Sequence, residues 1–161
     1  MAYQKLQVST ALSVIPSDYI NIPNASTSPL SGSTTSSPSA GNDLVDSDAT
    51  FKAHQNKVQV GDIVYSGSTI AVVSEVVSNT VLKLTDGNGV AVPIPNATAY
   101  SIYKNSNNGC VLYIGVSGNL EVETAGGSVV TFSNMPIGFV PVQVMKVLSS
   151  GTTATGIIAL W

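Results

Sequence analysis

The sequence predicts an all-β fold, an antiparallel β-sandwich or barrel with little or no helix, on three observations. Short runs rich in Val and Ile recur along the chain, and pairs such as Ser-Gly, Gly-Asp and Ser-Asn separate them. β-Branched residues favour strands, whereas Gly, Asn, Asp and Ser favour turns. Charged residues make up only 9% of the 161 residues, against about a quarter in an average soluble domain. We therefore expect a surface hydrated by hydroxyl and amide groups rather than by ions.

The middle of the chain predicts a β-meander. Lys57–Thr85 consists of short apolar runs broken by turn pairs, which is the pattern of consecutive hairpins. The motif DGNG at Asp86–Gly89 supplies residues that tolerate positive φ, so a tight reversal is predicted there. Period-two alternation in TVLKLT and AVPIP places one face on a core and the other in water. Ala97–Lys104 alternates in the same way and predicts a further strand.

The last third of the chain predicts five more strands. Turns that contain Gly or Pro separate the runs CVLYIGV, NLEVETA, SVVTF, FVPVQVMKVL and TATGIIALW. In NLEVETA, Leu120 and Val122 share one face of the strand, and Glu121 and Glu123 share the other. Two glutamates on one face could form an acid–base pair. The favoured interpretation is an ordinary solvated face.

The charges that are present argue against nucleic-acid binding. Nine carboxylates outnumber six cationic residues, and the formal net charge is -3. All six cations are Lys, so the chain has no planar guanidinium fork for a phosphate group or a guanine base. The Lys residues are also scattered along the sequence rather than grouped in a basic stripe. We expect no nucleic-acid partner.

Residue types that carry chemistry are scarce. Cys110 is the only cysteine, and its apolar neighbours indicate a buried thiol rather than a reactive one. His54 is the only histidine, and it lacks the partners that a catalytic triad or a zinc site needs. Asp43, Asp46 and Asp48 lie close together but lack the alternate acidic positions, the central Gly and the terminal Glu of an EF-hand. We predict no enzymatic activity, no catalytic or cofactor-binding residue and no metal site.

The sequence also lacks the usual targeting signals. The first fifteen residues have no charged start followed by a long apolar core and a small-residue cleavage site. No stretch approaches the roughly 20 apolar residues of a membrane span. We expect a soluble protein that is neither exported by a signal peptide nor associated with a membrane.

The two ends of the chain carry motifs that point to a family. Leu6–Asn24 contains ALSVIPSD followed by NIP, and Gly109–Trp161 contains LYIGVSGNLEV, a Gly-Gly turn, VTFSNMPIGFVPVQVMKV and the terminal GTTATGIIALW. In combination these segments resemble the two halves of small tailed-phage virion proteins of the head-spike-base and capsid-decoration (cement) type. The resemblance covers less than half of the chain.

The domain organisation follows from where the sequence departs from that family. Its first half normally continues almost directly into the strand that corresponds to GCVLYIG, whereas residues 25–108 stand between them here. The resemblance implies that residues 1–24 and 109–161 form one β domain, that residues 25–56 form a polar linker, and that residues 57–108 form an inserted β module. Ser/Thr/Pro-rich sequence supplies reach without a core.

The resemblance implies a structural role without catalysis. The expected function is capsid decoration, or cement, on the outer head surface, and the expected location is the virion after assembly in the host cytoplasm. The implied partners are the major capsid protein and sister copies, in a trimer. A vertex spike base and a neck or tail-fibre component are alternatives. A carbohydrate- or host-surface-binding module using Tyr100 or Tyr103 is another, and a virion-borne glycan hydrolase is the last.

The predicted partner interface lies at the chain ends. The terminal GIIALW is strongly apolar, so we interpret Trp161 as docked, either in its own core or across a subunit contact. Trp is a favoured anchor in both settings. The residues predicted for the interface are Tyr3, Leu6, Val8 and Trp161.

Overall fold

The structure, a computed structural model, describes residues 8–25, 28–38, 43–53 and 57–161. In these ranges the chain forms strands and no helix, every strand pair is antiparallel, and no segment is a helix that could cross a membrane. The predicted all-β fold is confirmed. The strands in chain order are β1 (Ala11–Ser13), β2 (Leu30–Ser33), β3 (Asp43–Val45), β4 (Ile63–Ser66), β5 (Thr69–Val76), β6 (Val81–Thr85), β7 (Ala99–Tyr103), β8 (Cys110–Ile114), β9 (Gly118–Thr124), β10 (Val129–Met135), β11 (Gly138–Val147) and β12 (Ile158–Leu160).

The strands belong to two compact units. The first unit combines the chain up to Asp18 with the chain from Asn107 onwards, and the second unit is Tyr19–Ser106. The sequence had placed the divisions after residues 24 and 108. Residues 19–24 belong instead to the second unit, where the Asn24 amide donates to the Lys104 carbonyl at 3.1 Å.

The first unit contains one six-stranded sheet in the order β1-β12-β8-β11-β9-β10. The five strands predicted in the last third of the chain correspond to β8 to β12, so that prediction is confirmed. Along β8 and β9 burial alternates residue by residue, and Leu112, Leu120 and Val122 are fully buried. Apolar side chains at every second position therefore place one face of the sheet on the core.

β10 is the last strand at one edge of this sheet. Its pairing with β9 is regular from Val129 to Phe132 and shifts before Met135. Asn134 lies inside this irregularity and has a positive φ of 50°. An extra residue in one strand is the usual form of a β-bulge, which ends regular pairing and bends the strand.

The second unit contains the other six-stranded sheet, in the order β2-β7-β4-β5-β6-β3. β4, β5 and β6 pair consecutively, as the meander prediction requires. The reversal predicted at DGNG is confirmed, because the Asp86 amide donates to the Val90 carbonyl at 2.9 Å and Gly87 and Gly89 both have positive φ. In AVPIP the inward Ile94 is buried, but Pro93 and Pro95 have no amide hydrogen for a ladder, and only Ala91 forms a bridge.

The run expected to be a polar linker contributes two strands, β2 and β3, to the second sheet. These strands lie at opposite ends of the strand order, yet the Thr35 amide donates to the Val45 carbonyl at 2.8 Å and Ser36 bridges Val45. The two edges of the sheet therefore meet. Leu44 and Phe51, from the same run, are fully buried. This run differs from the sequence expectation because its few apolar residues reach the core of the unit.

The core of the second unit draws residues from most of its strands. Its members share near-complete burial and are Leu44, Phe51, Val58, Val64, Ala71, Val73, Leu82, Leu84, Ile94, Tyr100 and Ile102. Phe51 and Tyr100 stack in a tilted arrangement with ring centroids 6.3 Å apart. Burial on this scale stabilises the unit by roughly 1.5–3 kcal/mol for each large side chain.

Candidate functional site

Val8 and Trp161, two of the four residues predicted for the partner interface, meet at one cavity of the first unit. The cavity has a volume of about 170 Å³, and its lining is Val8, Gly109, Cys110, Val111, Gln143, Leu160 and Trp161. Val8 is 43% exposed. Tyr3 and Leu6, the other two predicted residues, lie outside the described residues.

Trp161 is held by hydrogen bonds within its own unit. Its amide donates to the Thr10 carbonyl at 3.0 Å, and its carbonyl accepts from the Ser9 amide at 2.7 Å. Its indole Nε1 donates to Asn107 Oδ1 at 3.1 Å. The side chain is half-buried, so one part of the ring is anchored and another stays accessible.

Cys110 lines the same cavity but is a poor nucleophile. The residue is buried, and its Sγ donates to the Val144 carbonyl at 3.4 Å. Burial raises the pKa of the thiol to about 12. Since the thiolate is the reactive form, this cysteine is chemically inert at neutral pH, and the predicted buried thiol is confirmed.

An aromatic pair of the first unit lies where β8 and β11 pair with each other. Phe139 is 62% exposed, and its ring meets the edge of the Tyr113 ring at a centroid distance of 5.4 Å. Ile137, two residues before Phe139, is 61% exposed. We call Tyr113, Ile137 and Phe139 the corner patch. Exposed apolar side chains that lie together, unlike single ones, are typical of interaction surfaces.

The sequence reasoning missed the corner patch. Val140 and Val144 are buried, and Phe139 lies one residue out of phase with Val140, so its ring projects from the opposite face of β11. Period-two alternation in FVPVQV was the signal that could have located it. The segment carries apolar residues at both alternating sets of positions, so its sequence alone does not distinguish the exposed face from the buried one.

The glutamates of β9 lie on the polar face, as predicted. Glu123 forms an ion pair with Lys146 at 2.8 Å, and Glu121 Oε1 accepts a hydrogen bond from Thr131. These contacts engage both carboxylates with neighbouring strands, in keeping with a solvated face.

The second unit contains a polar cleft of about 490 Å³. Its lining consists mostly of small and hydroxyl-bearing residues: Leu30, Ser31, Gly32, Ser33, Thr34, Thr35, Asp46, Asp48, Ala49, Thr50, Ala97 and Tyr100. Tyr100 Oη donates to Asp46 Oδ2 at 2.6 Å, and Asp46 Oδ1 accepts from the Asp48 amide at 3.0 Å. Burial, reinforced by this carboxylate, raises the pKa of the Tyr100 hydroxyl. The carboxylate is thus engaged in holding the cleft together.

The candidates for other chemistry are not gathered into a site. Tyr100 is 3% exposed, too little to stack on a sugar, and Tyr103 packs edge-on against Tyr65 with centroids 5.6 Å apart. His54 lies outside the described residues. Among the residues that the structure places, no three His, Cys, Asp or Glu side chains are grouped as metal ligands.

An ion pair joins the end of β7 to the turn before β4. Lys104 Nζ lies 2.6 Å from Asp62 Oδ2 and also donates to the Lys57 carbonyl. The same carboxylate oxygen accepts from the Gln59 amide at 2.8 Å. Because Asp62 is almost fully buried, this network holds the second unit together and leaves no free charge for a ligand.

Comparisons of the chain with protein-family models, with curated proteins and with solved structures found no match.

Proposed function

We propose that this chain is a structural protein of a tailed-phage virion that decorates the outer surface of the head and strengthens the shell. Its partners are the major capsid protein and sister copies of this chain. It carries out no catalysis, and it joins the capsid surface after assembly in the host cytoplasm.

The observation that carries this proposal is the corner patch. Its residues fall inside LYIGVSGNLEV and VTFSNMPIGFVPVQVMKV, the segments on which the resemblance rests. Ile137 and Phe139 each leave more than half of their surface in water. Exposed aromatic and aliphatic side chains are the usual anchors of a protein interface, because burying them releases water from apolar surface.

The low charge of the chain supports the same role. A decoration protein is present in many identical copies that lie side by side on a shell. With a formal net charge of -3 and few charged side chains, neighbouring copies repel one another weakly. Within the described ranges, the carboxylates of β9 are already engaged with Lys146 and Thr131.

Particle composition provides the first test. Purified virions of the phage that encodes this chain are expected to contain it in hundreds of copies, measured by quantitative mass spectrometry against the major capsid protein. Heads that lack it are expected to release DNA at a lower temperature. A copy number limited to the vertices or the tail contradicts decoration and favours a spike base or a fibre component.

Adding purified protein back to heads that lack it tests the corner patch. We expect Phe139→Ser to weaken binding by roughly 10- to 100-fold, the usual loss when a central aromatic anchor is removed. Val60→Ser is the matched control, because Val60 is 67% exposed but belongs to the second unit. Equal binding by wild type and Phe139→Ser, with both folded by circular dichroism, contradicts the proposed docking surface.

A further inference from the structure

The outer edge of β10 is open. β10 is the terminal strand of the first sheet and pairs with β9 on one side only. Throughout the described part of the chain, no strand pairs with its other side. The second sheet differs, since its two edge strands meet through the Thr35–Val45 backbone bond.

The hydrogen-bonding direction along β10 shows which amides face the open edge. The Thr124 amide donates to the Ser128 carbonyl at 2.9 Å across the β9–β10 turn, so Ser128 is directed at β9. Hydrogen-bonded positions alternate in an antiparallel pair. Val130 and Phe132 therefore also bond to β9, while the backbone N–H and C=O groups of Val129 and Thr131 point outward.

In the part of the chain that the structure describes, β10 lacks most of the features that normally protect an edge strand. Ser128–Met135 contains no charged residue and no Pro, and Val129 and Val130 are 56% and 39% exposed. Natural edge strands are usually blocked by Lys, Pro, a bulge or a covering segment. The one bulge, at Asn134, lies near the end of β10 and leaves Val129–Phe132 straight enough to pair.

We propose that β10 pairs antiparallel with β10 of a second copy of this chain, joining the two first-unit sheets into one continuous sheet. An uncharged strand meets its own copy without like-charge repulsion. The carboxylates of the neighbouring strand β9, Glu121 and Glu123, lie one strand further in, and Glu123 forms an ion pair with Lys146 at 2.8 Å. Pairing also brings Val130 and Phe132 of both copies onto one face, where β-branched and aromatic side chains stabilise each other.

This contact predicts a dimer. Antiparallel pairing of one edge with itself is two-fold symmetric, so it is complete with two copies. It stands independently of the proposed shell binding and differs from the three-fold arrangement that the resemblance implies. A dimer that does not bind heads would support this contact and contradict the proposed shell binding. A monomer that binds heads would support the shell binding and contradict this contact.

Light scattering after gel filtration of the full chain, over a range of concentrations, tests the dimer. We expect a mass that rises to twice the 16.5 kDa of one chain. Thr131→Pro removes an outward N–H and leaves the backbone hydrogen bonds to β9 in place, because Pro is tolerated where the amide faces solvent. Like the Thr131→Val control, it also lacks the hydroxyl that donates to Glu121. It is expected to weaken the dimer by roughly 10- to 100-fold, as two symmetry-related hydrogen bonds are lost. Thr131→Val is the matched control, since it keeps the amide and the strand preference, and should remain dimeric.

Two further measurements keep the inference decisive if Thr131→Pro does not fold. Val129→Lys places a charge at the edge and should also yield a monomer. In the wild-type protein, hydrogen exchange of a peptide covering residues 128–135 should slow as concentration rises. A wild type that stays monomeric at every concentration, or a folded Thr131→Pro that dimerises like wild type, overturns the proposal.

Discussion

Removing the hydroxyl of Tyr100 is expected to destabilise the second unit by about 1.5–3 kcal/mol, the usual contribution of a hydrogen bond to a charged group. Tyr100 Oη lies 2.6 Å from Asp46 Oδ2, and Tyr100 and Asp46 are 3% and 4% exposed. Solvent therefore screens this bond little, and Tyr100→Phe leaves a buried carboxylate oxygen without its donor. The ring of the Phe variant keeps its packing against Phe51.

Urea denaturation followed by circular dichroism measures this loss. With a slope of about 1–3 kcal/mol per molar urea, a loss of about 2 kcal/mol lowers the midpoint by roughly 1 M. Tyr103→Phe is the matched control: Tyr103 lies in the same strand, and its hydroxyl makes no hydrogen bond that the described residues account for. The control should change the stability by less than about 0.5 kcal/mol.

A double-mutant cycle assigns the effect to the pair. Tyr100→Phe, Asp46→Asn and the double variant should show a coupling energy of about 1 kcal/mol or more, as groups in direct contact do. Additive effects, or equal midpoints for Tyr100→Phe and Tyr103→Phe, would refute the reasoning.

Two other changes test the buried groups. Gly32→Ala should destabilise the second unit by more than about 1 kcal/mol, because the new Cβ would lie 2.5 Å from Tyr100 Oη. Gly126→Ala is the control, since its Cβ would have no contact closer than 3.8 Å. Equal urea midpoints for the two variants would contradict this geometry. Burial raises the pKa of Cys110 to about 12, so the stability due to its neutral thiol is complete below the unfolded value of about 8.5 and is lost as the pH rises towards 12. Cys110→Ala should reduce the alkaline loss of stability measured by urea denaturation between pH 8 and 11, and an unchanged loss would contradict the burial argument.

The strands that could be predicted from the sequence are those whose own residues show a strong strand preference or a clear alternation of apolar and polar positions. β8 and β11 are rich in β-branched and aromatic residues, and in β9 apolar residues alternate with glutamates; both are local signals for a strand. The DGNG reversal was equally predictable, because Gly87 and Gly89 adopt the positive φ that favours Gly. In these places local preference and tertiary structure agree.

β2 and β3 could not be predicted in the same way. LSGS and DLV are short and carry little strand preference of their own. They become strands because distant partners pair with them: Leu30 lies opposite Ile102, and Leu44 lies opposite Leu82. Pairings between residues so far apart in sequence leave no trace in local composition.

The candidate site was predictable only in part. Trp161 was predicted to be docked from its apolar neighbours, and it is held by Thr10 and Asn107 of its own unit. The exposure of Phe139 depends on the face of β11 on which its side chain lies. Because β11 has apolar residues on both faces, its pairing with β8, and not its own sequence, determines which face is exposed.

The backbone bridge between Asn24 and Lys104, together with the bond from Asn24 Nδ2 to Ser106 Oγ, has an evolutionary consequence. It ties the start of the second unit to its finish, so the polypeptide enters and departs at adjacent points. A segment whose two ends are adjacent can be deleted from one protein, or inserted into a loop of another, with little change to the rest of the chain. A single recombination event between genomes can therefore add or remove the second unit without changing the strands of the first unit.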